Sequence, residues 1–322
     1  MSYVEDRFYS ELPDYDRDFW SFLRGNDAVV DKLHKGRTAD TGTYILPAAA
    51  NDKYEKAIAK ESVFRSIASV FTNYDGPAHI LAANSDDIAE YVPEFGTISI
   101  KDVADDFARI PMERNKLATL LRLPTEFIRD AAFDLSAYLV KRLAKAYARA
   151  EDQSFIVGSG DGEPVGILSD ESGANVAVTA QQLSYDDVLR LYYAVAPKHR
   201  QNAVWLMNDE TALTLRSLKD ENGNYLWRDS DDTILGKKVL FSEYMPNIAA
   251  GAKPIAFGDF SYYWIVKRSP VTVKTLKELF ALHGQTGYLS FEFLDGKLID
   301  RDAVQVIQIE STEPEDIEHL AE

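Results

Sequence analysis

The sequence predicts an α+β fold, because helical and strand-like hydrophobic patterns occupy separate stretches of the chain. Across residues 124–152, apolar side chains recur every three or four residues, which is typical of one long amphipathic helix. From Tyr262 to Ile309 they alternate with a period close to two, which is typical of an antiparallel sheet. Of the 322 residues, 46% are hydrophobic, so the chain can bury a substantial core.

The N-terminal segment, residues 1–43, is rich in aromatic side chains for a free terminus. Its apolar residues lie at helical spacing until Pro13 interrupts the pattern, which predicts two short helical pieces or an extended arm. Two interpretations stay open. The segment packs on its own domain, or it forms an arm that packs on a neighbouring subunit.

The next stretch, residues 44–78, opens with a short strand and continues as a helix that passes into a second strand. Residues 79–116 then have mostly strand character, with turn residues at Pro93 and Gly96 and many more acids than bases. A long acidic hairpin with few apolar side chains cannot bury itself well. We therefore expect this hairpin to lie on another surface.

The rest of the chain alternates between helix and strand before the final sheet. We predict helices over 184–196 and 209–218, a turn over 221–224, and strands over 203–207, 238–241 and 254–257. The end, residues 310–322, carries six acids and no lysine or arginine, which predicts a solvated tail over 311–322.

Composition excludes several classes of protein. With 35 basic and 52 acidic residues, the net charge is −17. This charge argues against a protein that binds nucleic acid over its whole surface, but it is compatible with a local basic face. The absence of cysteine excludes disulfides and thiolate metal sites. No run reaches the roughly 20 apolar residues of a bilayer helix, and residues 1–25 contain no apolar core of a signal peptide.

Catalytic and cofactor motifs are also missing. The five histidines show no metal-ligand spacing, and no nucleophile elbow, zincin or phosphate-loop motif occurs. The glycines from Gly158 to Gly162 follow a predicted helix instead of a strand, which disfavours a dinucleotide site. Asp220, Asn222 and Asn224 lack the glycine and glutamate positions of a calcium loop and favour a turn. We expect no enzyme activity, no metal and no cofactor.

Short motifs in a fixed order carry a resemblance to a known family. They are DFWSFLRG at 18–25, TGTYILP at 41–47, YVPE at 91–94, LPTEFIRD at 123–130, the AEDQSF to GSGDGEPVGIL stretch at 150–168, WLMN at 205–208, LGKKV at 235–239, MP at 245–246 and FGDF at 257–260. Each motif alone is weak, but their order along most of the chain is specific. The sequence resembles the HK97-fold family, the major capsid proteins of tailed bacteriophages.

The resemblance implies an HK97-like capsid fold with named parts. These are an N-terminal arm at 1–43, a peripheral domain from 44–78, 112–178 and 262–310 with a spine helix at 124–152, an extended E-loop hairpin at 79–116, an axial domain at 179–261 and an acidic tail at 311–322. In such capsids the E-loop lies across an adjacent subunit. The residues expected to make intersubunit contact are therefore Glu90, Glu94, Lys101, Asp105 and Asp106.

The resemblance also implies a structural function. Such subunits form pentamers and hexamers of an icosahedral phage head that encloses double-stranded DNA, and they assemble in the host cytoplasm. The implied partners are other copies of the chain, a separate scaffolding protein, a portal and a decoration protein, with no membrane. Two alternatives stay open: an encapsulin-like compartment that encloses a cargo enzyme, and an α+β enzyme. The aromatic arm favours the phage shell.

Two departures from the family pattern change what is expected. Some members carry an N-terminal scaffolding region, whereas here the arm-like segment begins almost at Met1, so we expect guidance from a separate scaffolding protein or from none. Some members join an E-loop lysine to a peripheral asparagine by an isopeptide bond. Lys101 is a candidate lysine, but residues 248–322 contain no asparagine, so we expect no crosslink.

The predicted spine helix carries a basic face, defined by Lys141, Lys145 and Arg149 at steps of four residues. Two interpretations of this basic face stay open. The cations pair with local acids or with the C-terminus of the helix, or they make a weak, sequence-independent contact with packaged DNA.

Overall fold

The computed structural model describes residues 10–33, 42–72, 79–83, 107–227 and 232–310. The helices of these residues are Pro13–Leu23, Val30–Leu33, Ala48–Glu61, Thr125–Arg129, Leu135–Val157, Tyr185–Ala194, Pro197–Arg200 and Asp209–Ser217. Short 3-10 turns lie at Asp27–Val29, Phe64–Ser66, Phe260–Tyr262 and Ala281–His283. The predicted tail at 311–322 lies outside the described residues.

The strands are numbered β1 to β14 along the described residues. They are Thr43–Ile45, Ser69–Thr72, His79–Ala83, Phe107–Pro111, Asn115–Pro124, Asn175–Ala180, Val204–Met207, Thr233–Ile234, Lys237–Phe241, Ile255–Gly258, Tyr263–Lys267, Thr272–Leu276, Gln285–Leu298 and Val304–Ile309. The mixture of helices and strands confirms the predicted α+β class. Most of the individual elements lie within two residues of their predicted bounds.

The first sheet is built around the long strand β13. Its order is β1-β12-β13-β11-β2, and β5 also pairs with β13. The helices Pro13–Leu23, Ala48–Glu61 and Leu135–Val157 share one apolar core with this sheet. Tyr54 and Tyr147, from the second and third of these helices, meet edge to face in that core with ring centroids 6.0 Å apart.

The second sheet has the order β6-β14-β10-β7-β9-β8, with parallel pairs at β14–β6 and β7–β9. Its core includes the stacked rings of Trp205 and Phe257, 4.0 Å apart. The helix Tyr185–Ala194 begins at a capping box, in which the side chains of Ser184 and Asp187 each bond the other's backbone N–H. A third apolar cluster, around Phe64 and Phe155, connects the two sheets.

The predicted single helix over 124–152 is wrong in its bounds. Pro124 ends strand β5, and the helix Thr125–Arg129 stops before a second helix, Leu135–Val157, which we call the long helix. The carboxylate of Asp134 caps the long helix by accepting from the Ala137 N–H at 3.0 Å. A capping aspartate inside the apolar pattern therefore starts a new helix where periodicity alone predicted continuity.

The N-terminal segment follows the first of its two open interpretations over its described residues. Pro13 does not break a helix but occupies its first turn, where a missing N–H costs nothing. Phe19, Phe22 and Leu23 are buried in the core of the first sheet. Residues 13–23 therefore pack on their own chain.

Residues 262–310, predicted as the last peripheral part, contribute strands to both sheets. Strand β14 pairs antiparallel with β10 and parallel with β6, so it belongs to the second sheet. Residues 304–309 therefore join the sheet formed mainly by the predicted axial domain, 179–261. An alternating pattern predicts a strand but not the sheet that the strand joins.

Candidate assembly interface and charged sites

The base of the predicted E-loop hairpin is a two-stranded ribbon. Strand β3 pairs antiparallel with β4, with His79 opposite Pro111 and Ala83 opposite Phe107. The five predicted contact residues (Glu90, Glu94, Lys101, Asp105 and Asp106) lie outside the described residues. The ribbon therefore places the start and the return of the hairpin side by side.

The return of this hairpin is anchored to β13. The buried carboxylate of Asp295 accepts from the Glu113 N–H at 2.6 Å and from the Asn115 side-chain amide at 3.2 Å. Lys297 donates to the Pro111 carbonyl at 2.9 Å, and Arg268 donates to that of Met112 at 3.1 Å. Burial raises the pKa of Asp295. Two side chains of β13, together with Arg268 just after β11, thus hold residues 111–115 against the first sheet.

The basic face lies on the solvent-exposed side of the long helix. Lys141, Lys145 and Arg149 are exposed, and no carboxylate of the described ranges lies within ion-pair distance of them. The helix continues to Val157, two turns beyond Arg149. Because the effect of a helix end is confined to the last turn, the expected interaction with the C-terminus is absent at these positions.

Apolar side chains are exposed at two separate places. At the edge of the first sheet, the loop 277–284 lies beside the helix Thr125–Arg129, and Phe127, Leu279 and the fully exposed Leu282 face solvent. Around the second sheet the exposed apolar side chains include Tyr193, Leu213 and Tyr225. Clusters of exposed large apolar side chains are typical of surfaces that become covered on association.

Five ionisable side chains meet inside the first core, and we call them the ion cluster: Glu55, Arg65, Glu151, Lys267 and Glu292. Arg65 holds the carboxylate of Glu151 by two hydrogen bonds of 2.6 and 2.9 Å and reaches Glu55 at 3.2 Å. The ammonium of Lys267 lies 2.5 Å from Glu55 and 2.7 Å from Glu292. The cluster therefore joins two helices, a turn and two strands.

Neighbouring groups complete this network. The hydroxyl of Tyr54 donates to Glu292 at 2.9 Å, and the hydroxyls of Tyr147 and Ser290 lie 2.7 Å apart. Asp152 accepts from the Ser62 hydroxyl at 2.5 Å and from the backbone N–H groups of residues 63 and 64. These bonds hold the turn that carries Arg65 against the long helix.

Burial and neighbouring charges oppose each other in setting the pKa values of this cluster. It raises the pKa of Glu151 to about 7, against the lowering effect of Arg65. Burial would also raise the pKa of Glu55, but Lys267 and Arg65 outweigh it and the pKa is lowered. Burial would lower the pKa of Lys267, but the nearby carboxylate of Glu292 outweighs it and the pKa is raised. This lysine therefore stays charged.

Sequence reasoning missed the ion cluster because an alternating pattern predicts a strand but does not show which of its faces is buried. On β13 the polar side chains of Ser290 and Glu292 are fully buried, whereas Phe291 and Phe293 are only partly buried. The two phenylalanine rings instead face Lys116 and Arg114, at 4.5 and 4.3 Å. The adjacent acids Glu151 and Asp152, in the apolar run of the long helix, were the available indication.

Two motifs that suggested ligand binding have structural roles. A Cβ atom on Gly166 would lie 2.5 Å from the Gly158 nitrogen, so close packing accounts for the glycine there. The Asp220 carboxylate accepts from the backbone N–H groups of Asn222 and Asn224, which closes the predicted turn. Within the described ranges, no group of three or more His, Cys, Asp or Glu side chains is arranged so that it could hold a metal ion. No helix there is long and apolar enough to cross a bilayer.

Comparisons with known proteins converge on one kind of protein. A sequence model of the phage capsid family matches residues 42–309. The capsid of a native GTA particle is 28% identical, with 89% of this chain and 100% of that chain covered and a TM-score of 0.62. The capsid of the empty GTA particle is 27% identical, with 89% and 99% covered and a TM-score of 0.64.

More distant structures share the fold alone. A chain from Gordonia phage Cozz is 11% identical, with 78% of this chain and 87% of that chain covered and a TM-score of 0.54. Among curated protein sequences no significant match is found. The family match extends over both sheets, from the residue before β1 to the last residue of β14.

Proposed function

We propose that this chain, which belongs to the phage capsid family, is the major subunit of an icosahedral head. Its copies would form pentamers and hexamers and would together enclose double-stranded DNA. The observation that carries this proposal is the match to a capsid over 89% of this chain and all of the other. A family of structural proteins also fits the missing catalytic motifs. The subunit would assemble in the host cytoplasm and become part of the virion.

The geometry of the hairpin base supports the assembly part of this proposal. Asp295, Lys297 and Arg268 hold residues 111–113, which follow the β3–β4 ribbon, against the first sheet. Residues 84–106 carry seven acids, from Asp86 to Asp106. Glu90, Glu94, Lys101, Asp105 and Asp106 would contact polar or basic groups of an adjacent subunit, and symmetry would repeat each contact many times.

The exposed apolar side chains support the same arrangement. Leu282, Leu279 and Phe127 lie at an edge of the first sheet, and Tyr193 and Leu213 lie at the second sheet. Exposed apolar side chains at both sheets suit a subunit that contacts several neighbours at once. In a closed shell these side chains would be covered by other copies of the chain.

The basic face supports a weak contact with DNA. Three exposed cations at steps of four residues form a line on one side of the long helix, and nearby acids do not neutralise them in the described part of the chain. Contacts of this kind bind phosphate without reading sequence. A net charge of −17 per subunit keeps the total attraction low, which permits DNA to move during filling.

A portal, a separate scaffolding protein and a decoration protein are the other partners that we propose. The direct test of the DNA proposal is to purify heads from producing cells, treat them with nuclease and extract the protected nucleic acid. Double-stranded DNA inside closed particles is the expected result. Particles that protect a cargo enzyme and no DNA would instead indicate an encapsulin-like compartment, and a chain that forms no particles would contradict both.

A further inference from the structure

The ion cluster contains more negative than positive charge. Its three carboxyl groups (Glu55, Glu151 and Glu292) face two cations, Arg65 and Lys267, so full ionisation leaves one uncompensated negative charge. Four of the five side chains are at most 3% exposed, and only Glu55 reaches solvent, at 31%. An uncompensated charge in such a place costs several kcal/mol, so a group there tends to become neutral.

Among the described residues, no third cation lies within ion-pair distance of the cluster. The other polar side chains around the cluster come from the elements that carry it. They are Tyr54 of the helix Ala48–Glu61, Ser62 of the turn at 62–66, Tyr147 and Asp152 of the long helix, and Ser290 of β13. Asp152 also lies near Arg65, but it is satisfied by its three hydrogen bonds at residues 62–64. The opening beside Glu55 is lined by two further acids, Glu11 and Asp52.

We propose that the ion cluster retains one proton near neutral pH and releases it in mild alkali, which weakens the packing of the long helix on the first sheet. Removal of either buried carboxylate, Glu151 or Glu292, would balance the charges. Glu151 is the group whose pKa burial raises most clearly, to about 7. The opening beside Glu55, a cavity of about 460 Å³, gives water access to the partly exposed end of the cluster.

The direction of the pH effect follows from proton counting. Unfolded Glu151 has a pKa of 4.5 and the folded group one of about 7, so the folded state binds the extra proton between these values. The stability that this extra proton contributes is therefore fully present below pH 4.5 and is lost as the pH rises from there through about 7. One proton changes the unfolding equilibrium constant by up to about tenfold per pH unit.

Difference infrared spectroscopy of the full-length subunit labelled with ¹³C-glutamate tests the proposal directly. At pH 6 we expect the carbonyl band of one protonated glutamic acid, which disappears by pH 9. The label separates glutamate from Asp152 and Asp295, whose pKa values burial also raises. A wild-type spectrum without this band at pH 6 would overturn the proposal, whatever the variants do.

Two variants test the charge count. In the Glu292→Gln variant, two carboxylates face two cations. The new amide can be oriented so that its oxygen accepts from Lys267 and its nitrogen donates to the Tyr54 hydroxyl. The protonated band and the extra pH dependence of unfolding should both vanish, as they should in Glu151→Gln. The exposed Glu171→Gln variant is the matched control and should behave like the wild type. Survival of the band in either cluster variant would overturn the proposal, and the test does not depend on shell formation.

Discussion

The guanidinium of Arg24 donates a 2.6 Å hydrogen bond to the backbone carbonyl of Phe133, which is 109 residues further along the chain. The same group donates to the carbonyls of Ile128 and Asp130 at 3.1 and 3.0 Å. These carbonyls lie at the break between the helix Thr125–Arg129 and the long helix. Arg24 therefore supplies the donors that a continuous helix would have supplied.

Substitution of Arg24 tests this relationship. Arg24→Lys keeps the charge but loses the planar fork that serves three carbonyls, and it should lower the free energy of unfolding by about 2–4 kcal/mol. Chemical denaturation of the full-length subunit measures this loss. The exposed Arg129→Lys variant is the control and should change stability by less than about 0.5 kcal/mol. Equal stability of the two variants would show that Arg24 does not hold the break.

We predict that assembled particles contain no covalent crosslinks between subunits. Lys101 is the candidate E-loop lysine, but no asparagine occurs after Asn247. Particles boiled in denaturant should therefore run as single subunits on a gel. A ladder of covalent oligomers would contradict this prediction, and mass spectrometry of the ladder would locate the acceptor.

The hairpin tip is predicted to act between subunits and not within one. Deletion of residues 96–104 leaves the β3–β4 ribbon and its anchor at Asp295 in place. The variant should fold with a stability within about 1 kcal/mol of the wild type, yet form no closed shells. Circular dichroism and negative-stain microscopy of the same sample provide the two measurements. Normal closed particles from this deletion would show that the hairpin is not an intersubunit element.

The basic face is predicted to contact DNA without being needed for the fold. Changing Lys141, Lys145 and Arg149 together to glutamine removes three exposed cations that have no ion-pair partner in the described ranges. Shells should form normally, and full heads should lose their DNA more readily at low salt. Failure to form shells would instead assign the cations a structural role. The matched control changes Lys53, Lys56 and Lys60 to glutamine, on another helix.

The α+β class and the HK97-like capsid fold could be predicted from the sequence, and both are confirmed. The capped helix after Ser184 was predicted well because its determinants are local. The break at 130–134 was missed because its partner, Arg24, lies about a hundred residues away in the chain. Local patterns do not contain such long-range hydrogen bonds.

The sheet that a strand joins and the burial of a charged side chain also could not be predicted from local sequence patterns. Strand β14 has the expected alternation but joins the second sheet, because pairing depends on distant strands. Glu292 is charged in sequence yet fully buried, because its carboxylate accepts from the Tyr54 hydroxyl and lies 2.7 Å from the Lys267 ammonium. The basic face was visible in the sequence because helical spacing alone brings its three members to one side.

Electron microscopy of the purified, full-length chain tests the central claim most directly. A capsid subunit should form closed particles of uniform diameter in which rings of five and six copies can be resolved, with the hairpin of each copy lying on its neighbour. Monomers or open, irregular oligomers under all assembly conditions, including in cells that supply the other head proteins, would contradict the account.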